Sequence, residues 1–337
     1  MANIPNFKCA IPSTAINNAL VGGQSAYTLL GPDGIPQTAL ANLGAGVRPR
    51  LGINMDFRFN QRGQPAYTAF GHGLDGWRVE YSGGLTSGSV DFNDPGVTIT
   101  ANGPSTAYLD IQQYFEDDLL GKTVTFSVLY DDGTFLTITG QVPASAPSSG
   151  AVTVFSAENT KSGIWIRLTS GGKVFVQIRA KAGYSVSPVS AKLEEGPNQT
   201  LAYQDSTGAW HRLPQPEDGD YAGQLLRCQR YLVPLPLTGA DDYAPIGFGY
   251  SYSTNSVRIF IPTPVQMRDD PVIQYISGDL SGFSILCNGT SYTPTAVANI
   301  SALSGGVAIA FTVSGITAGY TCVLRTQRAY AMLSAQL

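Results

Sequence analysis

The chain reads as an all-β protein, on three observations. Short apolar-polar alternations recur along most of its length, turn residues separate them at intervals of about ten residues, and charges are few. Only 13% of the 337 residues are charged, while glycine contributes 38 residues and tyrosine 17. Ordinary soluble domains carry about 25% charged residues, so neutral polar groups must cover most of this surface.

Residues 1–50 form the least globular part. Their apolar residues come in short pieces, Ile4, Phe7, Ile11, Ile16 and Leu20-Val21, broken by Pro5, Pro12, Gly22-Gly23, Pro32 and Pro36. No isolated core can be assembled from such pieces, so this stretch is expected to be an extended attachment arm that buries them against neighbouring subunits or a larger particle. Tyr27–Pro36 carries strand, turn and strand chemistry and is expected to be a hairpin within the arm.

Residues 51–196 are expected to be an antiparallel sandwich of the jelly-roll kind. Met55, Phe57 and Phe59 alternate with Asp56, Arg58 and Asn60, which predicts an opening strand; Trp77, Val79 and Tyr81 predict the next. Further strands are expected at 89–92, 97–101, 108–111, 124–130, 135–142, 151–155, 164–168, 173–180 and 184–193, with a short helix over 112–120. Asn-Asp-Pro-Gly, Asn-Gly-Pro and Asp-Asp-Gly segments supply the turns.

Residues 197–224 hold Pro197, Pro214, Pro216 and the acidic run Glu217-Asp218-Gly219-Asp220. Proline donates no ladder hydrogen bond, so a hinge is expected here. The pattern over 222–232 predicts a short amphipathic helix or turn opening a β-rich tip, 225–337. Its strands are expected at 246–252, 257–261, 272–276, 283–288, 296–300, 307–313 and 320–328.

Several short stretches resemble tail-fibre and receptor-binding structural proteins of tailed bacteriophages. They are Asn-Met-Asp-Phe-Arg-Phe-Asn-Gln-Arg-Gly (54–63), Asp-Gly-Trp-Arg-Val-Glu (75–80), Ala-Lys-Leu-Glu-Glu-Gly (191–196), Leu-Leu-Arg-Cys-Gln-Arg-Tyr-Leu (225–232) and Ile-Pro-Thr-Pro-Val-Gln-Met-Arg-Asp-Asp-Pro (261–271). The resemblance spans roughly residue 54 to the C-terminus. It implies a carbohydrate-binding-module-like sandwich followed by a small β-rich tip, assembled as a homotrimer and mounted on other virion proteins through residues 1–50. It also implies assembly in the host cytoplasm and a virion location, in the tail or another exterior appendage.

Composition excludes other classes. A net charge of −4 with no basic stripe argues against a nucleic-acid partner. Apolar runs such as Val307–Phe311 fall far short of a bilayer span, so membrane insertion is not expected. The start Met1-Ala2-Asn3-Ile4-Pro5 lacks the basic and apolar segments of a secretory signal. Cys9, Cys228, Cys287 and Cys322 show no zinc-type spacing; Cys287 and Cys322 lie in two strands of one region and either face each other or stay as buried thiols. No cofactor is expected.

No catalytic residue is assigned. His72 and His211 sit alone in loops, no Gly-X-Ser-X-Gly occurs, and the acidic runs Glu116-Asp117-Asp118, Asp131-Asp132, Glu194-Glu195, Glu217-Asp218-Asp220, Asp241-Asp242 and Asp269-Asp270 lie beside glycine, proline or strand ends. No metal ligand set is assigned either, although Asp91, Asp94, Glu116 or Asp118 offer oxygen ligands of the kind calcium takes.

Binding is the remaining chemistry. A sugar is recognised by aromatic faces against its C–H surface and by planar polar side chains at its hydroxyls. Trp77 and Trp165 are expected in the core; Trp210 lies in the hinge, either exposed as a candidate glycan contact or packing the linker onto a neighbour. The tip offers Tyr243, Tyr250, Tyr252 and Asn255, with Tyr275 and Tyr292 near in sequence, and these fit a glycan or a trimer interface. The expected function is host-surface polysaccharide recognition without cleavage by a tail fibre or receptor-binding protein. The alternatives are a structural or decoration component of tail, baseplate or capsid, and a polysaccharide depolymerase.

Overall fold

A computed structural model describes residues 47–337 apart from 83, 94–95, 236–243, 276–278, 327–330 and 336–337. The fold is all-β: one α-helix, Tyr221–Gln229, and one 3-10 turn, Leu280–Gly282, accompany the strands among the described residues. The chain forms two compact units, each gathering segments distant in sequence. One holds Phe115–Ile178, Val186–Gly219 and the described residues before Ile53; the other holds Ile53–Tyr114, Arg179–Ser185 and the chain from Asp220.

In the first unit, strands Pro188–Glu195, Thr123–Tyr130 and Phe135–Gln141 form an antiparallel sheet in that order. Its two faces differ. Val124, Phe126, Val128, Ala191 and Leu193 project to one side and are fully buried, with Leu193 opposite Phe126 and Ala191 opposite Val128. Each such large aliphatic or aromatic group contributes about 1.5–3 kcal/mol by leaving water. The other face carries Thr125, Ser127, Lys192 and Glu194, also fully buried.

The passage 197–219, expected as a hinge, is held against that polar face. The Lys192 ammonium donates to Thr200 Oγ1 at 2.7 Å and Gln215 Oε1 at 2.8 Å and lies 3.6 Å from Glu194. Glu194 in turn accepts from the Thr200 amide and hydroxyl, both at 2.6 Å. Burial pushes the Lys192 pKa down to about 8 against the pull of Glu194. A hairpin of Ala202–Gln204 and Trp210–Arg212 completes the passage, and the Arg50 amide is tied to Glu217 at 3.0 Å.

In the second unit, Ala66–Tyr67, Ser87–Phe92, Val97–Asn102 and Tyr184–Val186 form one sheet in that order, while Gly71–His72, Arg78–Ser82 and Tyr108–Tyr114 pair successively. Trp77, Val79, Val90, Ile99, Leu109 and Ile111 fill the core. Residues 55–59 are not the expected strand. Asn54 and Phe57 adopt left-handed backbone, at φ 48° and 55°, which breaks an extended run. The Asn54 side chain holds the turn by accepting from the Phe59 amide at 2.9 Å and donating to the carbonyls of Phe59 and Asp75. Met55, Phe57 and Phe59 are therefore all buried, with Phe57 5.2 Å from Trp77.

Two other expectations change. Residues 112–114 extend a strand, Tyr108–Tyr114, and no helix follows over 115–120. The single strand expected over 184–193 is two, Tyr184–Val186 and Pro188–Glu195, lying in different sheets.

Helix α1, Tyr221–Gln229, starts the C-terminal region. Asp220 caps it by accepting from the Gly223 amide at 2.9 Å. A three-stranded sheet of Leu232–Pro234, Ala331–Ser334 and Val272–Tyr275 follows, together with a seven-stranded antiparallel sheet. The order of the latter is Thr290–Tyr292, Phe283–Cys287, Thr321–Thr326, Ala244–Ser253, Ser256–Pro262, Gly306–Thr312 and Ala296–Leu303. Its inner residues Val257, Ile259, Phe283, Ile285, Val307, Ile309, Phe311 and Leu324 join Leu333 in one buried cluster. Alternation along Val307–Phe311 produces that face directly, because successive side chains of a strand point to opposite sides.

Candidate functional site

The outer face of the seven-stranded sheet carries an aromatic platform. Along Ala244–Ser253, Phe248, Tyr250 and Tyr252 are 60%, 50% and 49% exposed, whereas Ser251 is fully buried. Gly247 and Gly249 occupy the alternating positions because the backbone leaves no room for a side chain. A Cβ on Gly249 would stand 1.7 Å from the Arg258 carbonyl oxygen, and one on Gly247 2.7 Å from that of Phe260. The glycines thus set the aromatic-bearing strand close against Ser256–Pro262.

Cross-strand register assembles the neighbours. Phe248 lies opposite Phe260 and Val323, and Tyr250 opposite Arg258 and Thr321. The Phe248 and Phe260 rings are 6.0 Å apart, and the Arg258 guanidinium stands 5.0 Å from the Tyr252 ring centre. A cation over a ring face is attracted by the ring quadrupole, by about 0.5–1 kcal/mol at an exposed site. The result is an exposed aromatic surface, its Phe248 and Phe260 rings tilted at 59°, edged by a guanidinium and by threonine, a combination able to meet the C–H face and hydroxyls of a pyranose.

The other residues expected at this site fall differently. Asn255 lies in the turn beside the platform, where its side-chain oxygen accepts from Ser253 at 2.8 Å and its carbonyl accepts from the Val313 amide. Tyr243 lies outside the described residues. Tyr275 and Tyr292 pack against the core cluster instead, Tyr275 edge-on to Phe283 at 6.2 Å; Tyr275 also borders a shallow depression with Leu280, Thr293 and Thr295. Trp210, in the first unit, is half-buried and stacked on Phe135 with centroids 4.2 Å apart. It packs its hairpin down.

A second polar-aromatic cluster, with Asp110 and Gln112 buried at its centre, carries no clear mark in the sequence pattern. On one face of Arg78–Ser82 and Tyr108–Tyr114, Arg78 lies opposite Gln112 and Glu80 opposite Asp110. Arg179 grips Asp110 through two hydrogen bonds of 2.6 and 2.8 Å and lies over the Tyr108 ring, while Arg78 stands 4.5 Å from the Phe70 ring centre. Gln112 donates to Glu80, and its buried carbonyl oxygen has no hydrogen-bond partner. Two cations and two carboxylates cancel, leaving planar donors and acceptors between aromatic rings. The available signal was the polar half of Tyr108–Tyr114, hidden because 112–120 reads as helical.

Members of the acidic runs are engaged by other groups of the chain, and Asp241 and Asp242 lie outside the described residues. Asp132 lies 3.6 Å from Lys161 and Glu195 3.2 Å from Lys122, Glu194 is spent on Thr200 and Lys192, and Asp218 pairs with Arg212. Asp270 accepts from the Ala302 amide at 2.7 Å. Of the residues suggested for calcium, Asp91 accepts from Ser89 and Asp118 from the Leu120 amide, and Asp94 lies outside the described residues. Among the described residues no group of three or more His, Cys, Asp or Glu side chains is placed to hold a metal ion. His72 is held at about 4 by burial and by Arg62 and Arg78, and His211 bonds Asp205 at 2.7 Å within its hairpin.

No protein-family model and no curated protein matches the chain. Among solved structures it is similar to the type II cohesin dyad from the adaptor ScaA scaffoldin of Acetivibrio cellulolyticus, at 10% identity over 67% of this chain and 80% of that one, with a TM-score of 0.12. So distant a likeness assigns neither fold nor function.

Proposed function

We propose that the chain is a virion surface protein of a tailed bacteriophage, a tail-fibre or receptor-binding protein that recognises host-surface polysaccharide without cleaving it. The observation that carries the glycan part is the exposed row Phe248, Tyr250 and Tyr252 on one sheet, braced by Arg258. The virion part rests on the sequence resemblance over residues 54–337. In this reading residues 1–50 mount the protein on its particle, and three copies assemble.

A second reading has its own support. Leu286, Val323, Phe248, Phe260 and Ala308 form one continuous apolar row across five strands by register, and aromatic rows of this kind also line contacts between subunits. The platform would then join copies of a structural or decoration component. Adsorption of purified protein to host cells, with infection blocked in competition, supports the first reading. Protein that never adsorbs, and falls from trimer to monomer in light scattering when Tyr250 and Phe248 become alanine, supports the second.

A further inference from the structure

Beneath the aromatic platform lies a pair of thiols whose placement has a chemical consequence. Cys287 and Cys322 are direct cross-strand partners in the seven-stranded sheet. Both are buried and free. Which kind of partner they are decides what they can do, because antiparallel pairs alternate between hydrogen-bonded positions and closer, non-hydrogen-bonded ones.

The neighbouring strand settles it. The Ser251 amide donates to the Tyr320 carbonyl at 2.9 Å, and Gly249 stands opposite Cys322 in the same register. Two residues along from a hydrogen-bonded pair is another, so the Cys322 amide and carbonyl turn towards Gly249. A residue directs both groups to one side of its strand. Cys322 therefore meets Cys287, on its other side, at a non-hydrogen-bonded position. There Cα atoms approach to about 4.5 Å, within the span of about 4.4–6.8 Å that a disulfide bridges. The two thiols also interact with each other. Cys287 is anchored from its far side by the two-residue turn Asn288-Gly289, both in left-handed conformation, which pairs it with Thr290.

We infer that Cys287 and Cys322 are an oxidation site, closing to a cross-strand disulfide when the protein passes from a reducing to an oxidising medium. A small disulfide such as oxidised glutathione is the oxidant. One cysteine thiolate attacks it and releases one glutathione thiol; the second cysteine then attacks the protein sulfur of the mixed disulfide and releases the other. Both cysteine protons end on the two departing thiols, the cysteines are oxidised, and the glutathione disulfide is reduced. Cys228 lies on the buried side of helix α1, outside any strand, and has no cross-strand cysteine among the described residues.

Closure in the folded protein is slow. Burial holds the Cys322 thiol up at about 12, so the attacking thiolate is scarce and the oxidant must wait for the sheet margin to open. The bond would clamp Phe283–Cys287 to Thr321–Thr326, the strand that abuts the platform. The inference stands whether or not that platform binds glycan.

The test uses the full chain, reduced and then incubated with oxidised glutathione, quenched with alkylating reagent under unfolding conditions and mapped by mass spectrometry. The expected result is a peptide pair linked through Cys287 and Cys322, lighter by two hydrogens, forming faster in mild denaturant, with Cys228 alkylated. The oxidised protein should melt roughly 5 °C or more above the reduced one, and Cys287→Ser should abolish both the link and the shift. Alkylation of both cysteines after prolonged oxidation, or a link from either one to Cys228 or Cys9, would overturn the inference, and the wild-type map alone decides it should the variant not fold.

Discussion

Two faces of two sheets use buried and exposed groups in opposite ways. In the first unit, Lys192 and Glu194 place charges where no water reaches them, and they tie down Thr200 and Gln215. In the C-terminal sheet the inner face is a dry cluster of Val257, Ile259, Ile309 and Phe311, and the aromatic groups Phe248, Tyr250 and Tyr252 are left in water. A buried ion pair stabilises little in net terms, yet it is costly to break because one charge is left without its partner. It fixes a conformation. Exposed aromatic groups stabilise a monomer hardly at all, so their place on the surface points to a contact made with something else.

The largest effect is expected at the buried pair. Lys192→Ala strands Glu194 and should cost about 3–5 kcal/mol of stability, read from denaturant unfolding, whereas replacing Lys192 and Glu194 together with apolar residues should recover much of that loss. A second, smaller effect is expected at Gly249. Gly249→Ala drives a methyl group into the Arg258 carbonyl and should destabilise by about 2–3 kcal/mol, with loss of the platform's geometry even at temperatures where the chain remains folded.

His72 offers a pH test of comparable size. Its pKa is about 4 in the folded protein against 6.5 when unfolded, through burial first and then through Arg62 and Arg78. Between those values the unfolded chain binds the proton and the folded one does not. Stability from this group is therefore complete above pH 6.5 and declines as pH falls towards 4, by on the order of 2 kcal/mol. In His72→Gln the slope of unfolding free energy over that window should flatten.

The comparison also shows what the sequence made legible. Strict alternation marked Val257–Ile261, Val307–Val313 and Tyr250–Tyr252, because one face of each strand is dry and the other wet. It misled at Met55–Phe59, where the same spacing serves a turn stitched by Asn54, with all three apolar groups inward. The hinge expectation over 197–224 followed from its prolines and acids. Nothing in that stretch announced that Lys192 would reach its Thr200 and Gln215, since hydrogen bonds across a sheet face leave no periodicity. The pairing of Asp110 with Arg179 was hidden for the same reason.

The platform itself should respond in binding rather than in stability. Tyr250→Ala and Tyr252→Ala change exposed groups and should move unfolding free energy by less than about 0.5 kcal/mol, while each lowers affinity for the ligand by at least about tenfold, or roughly 1.4 kcal/mol. The most direct measurement is adsorption of fluorescently labelled wild-type and Tyr250→Ala/Tyr252→Ala protein to host cells before and after enzymatic removal of surface polysaccharide. The account predicts strong adsorption of the wild type, lost on removing the polysaccharide and lost equally in the folded double variant. Undiminished adsorption by that variant, or by stripped cells, would contradict it.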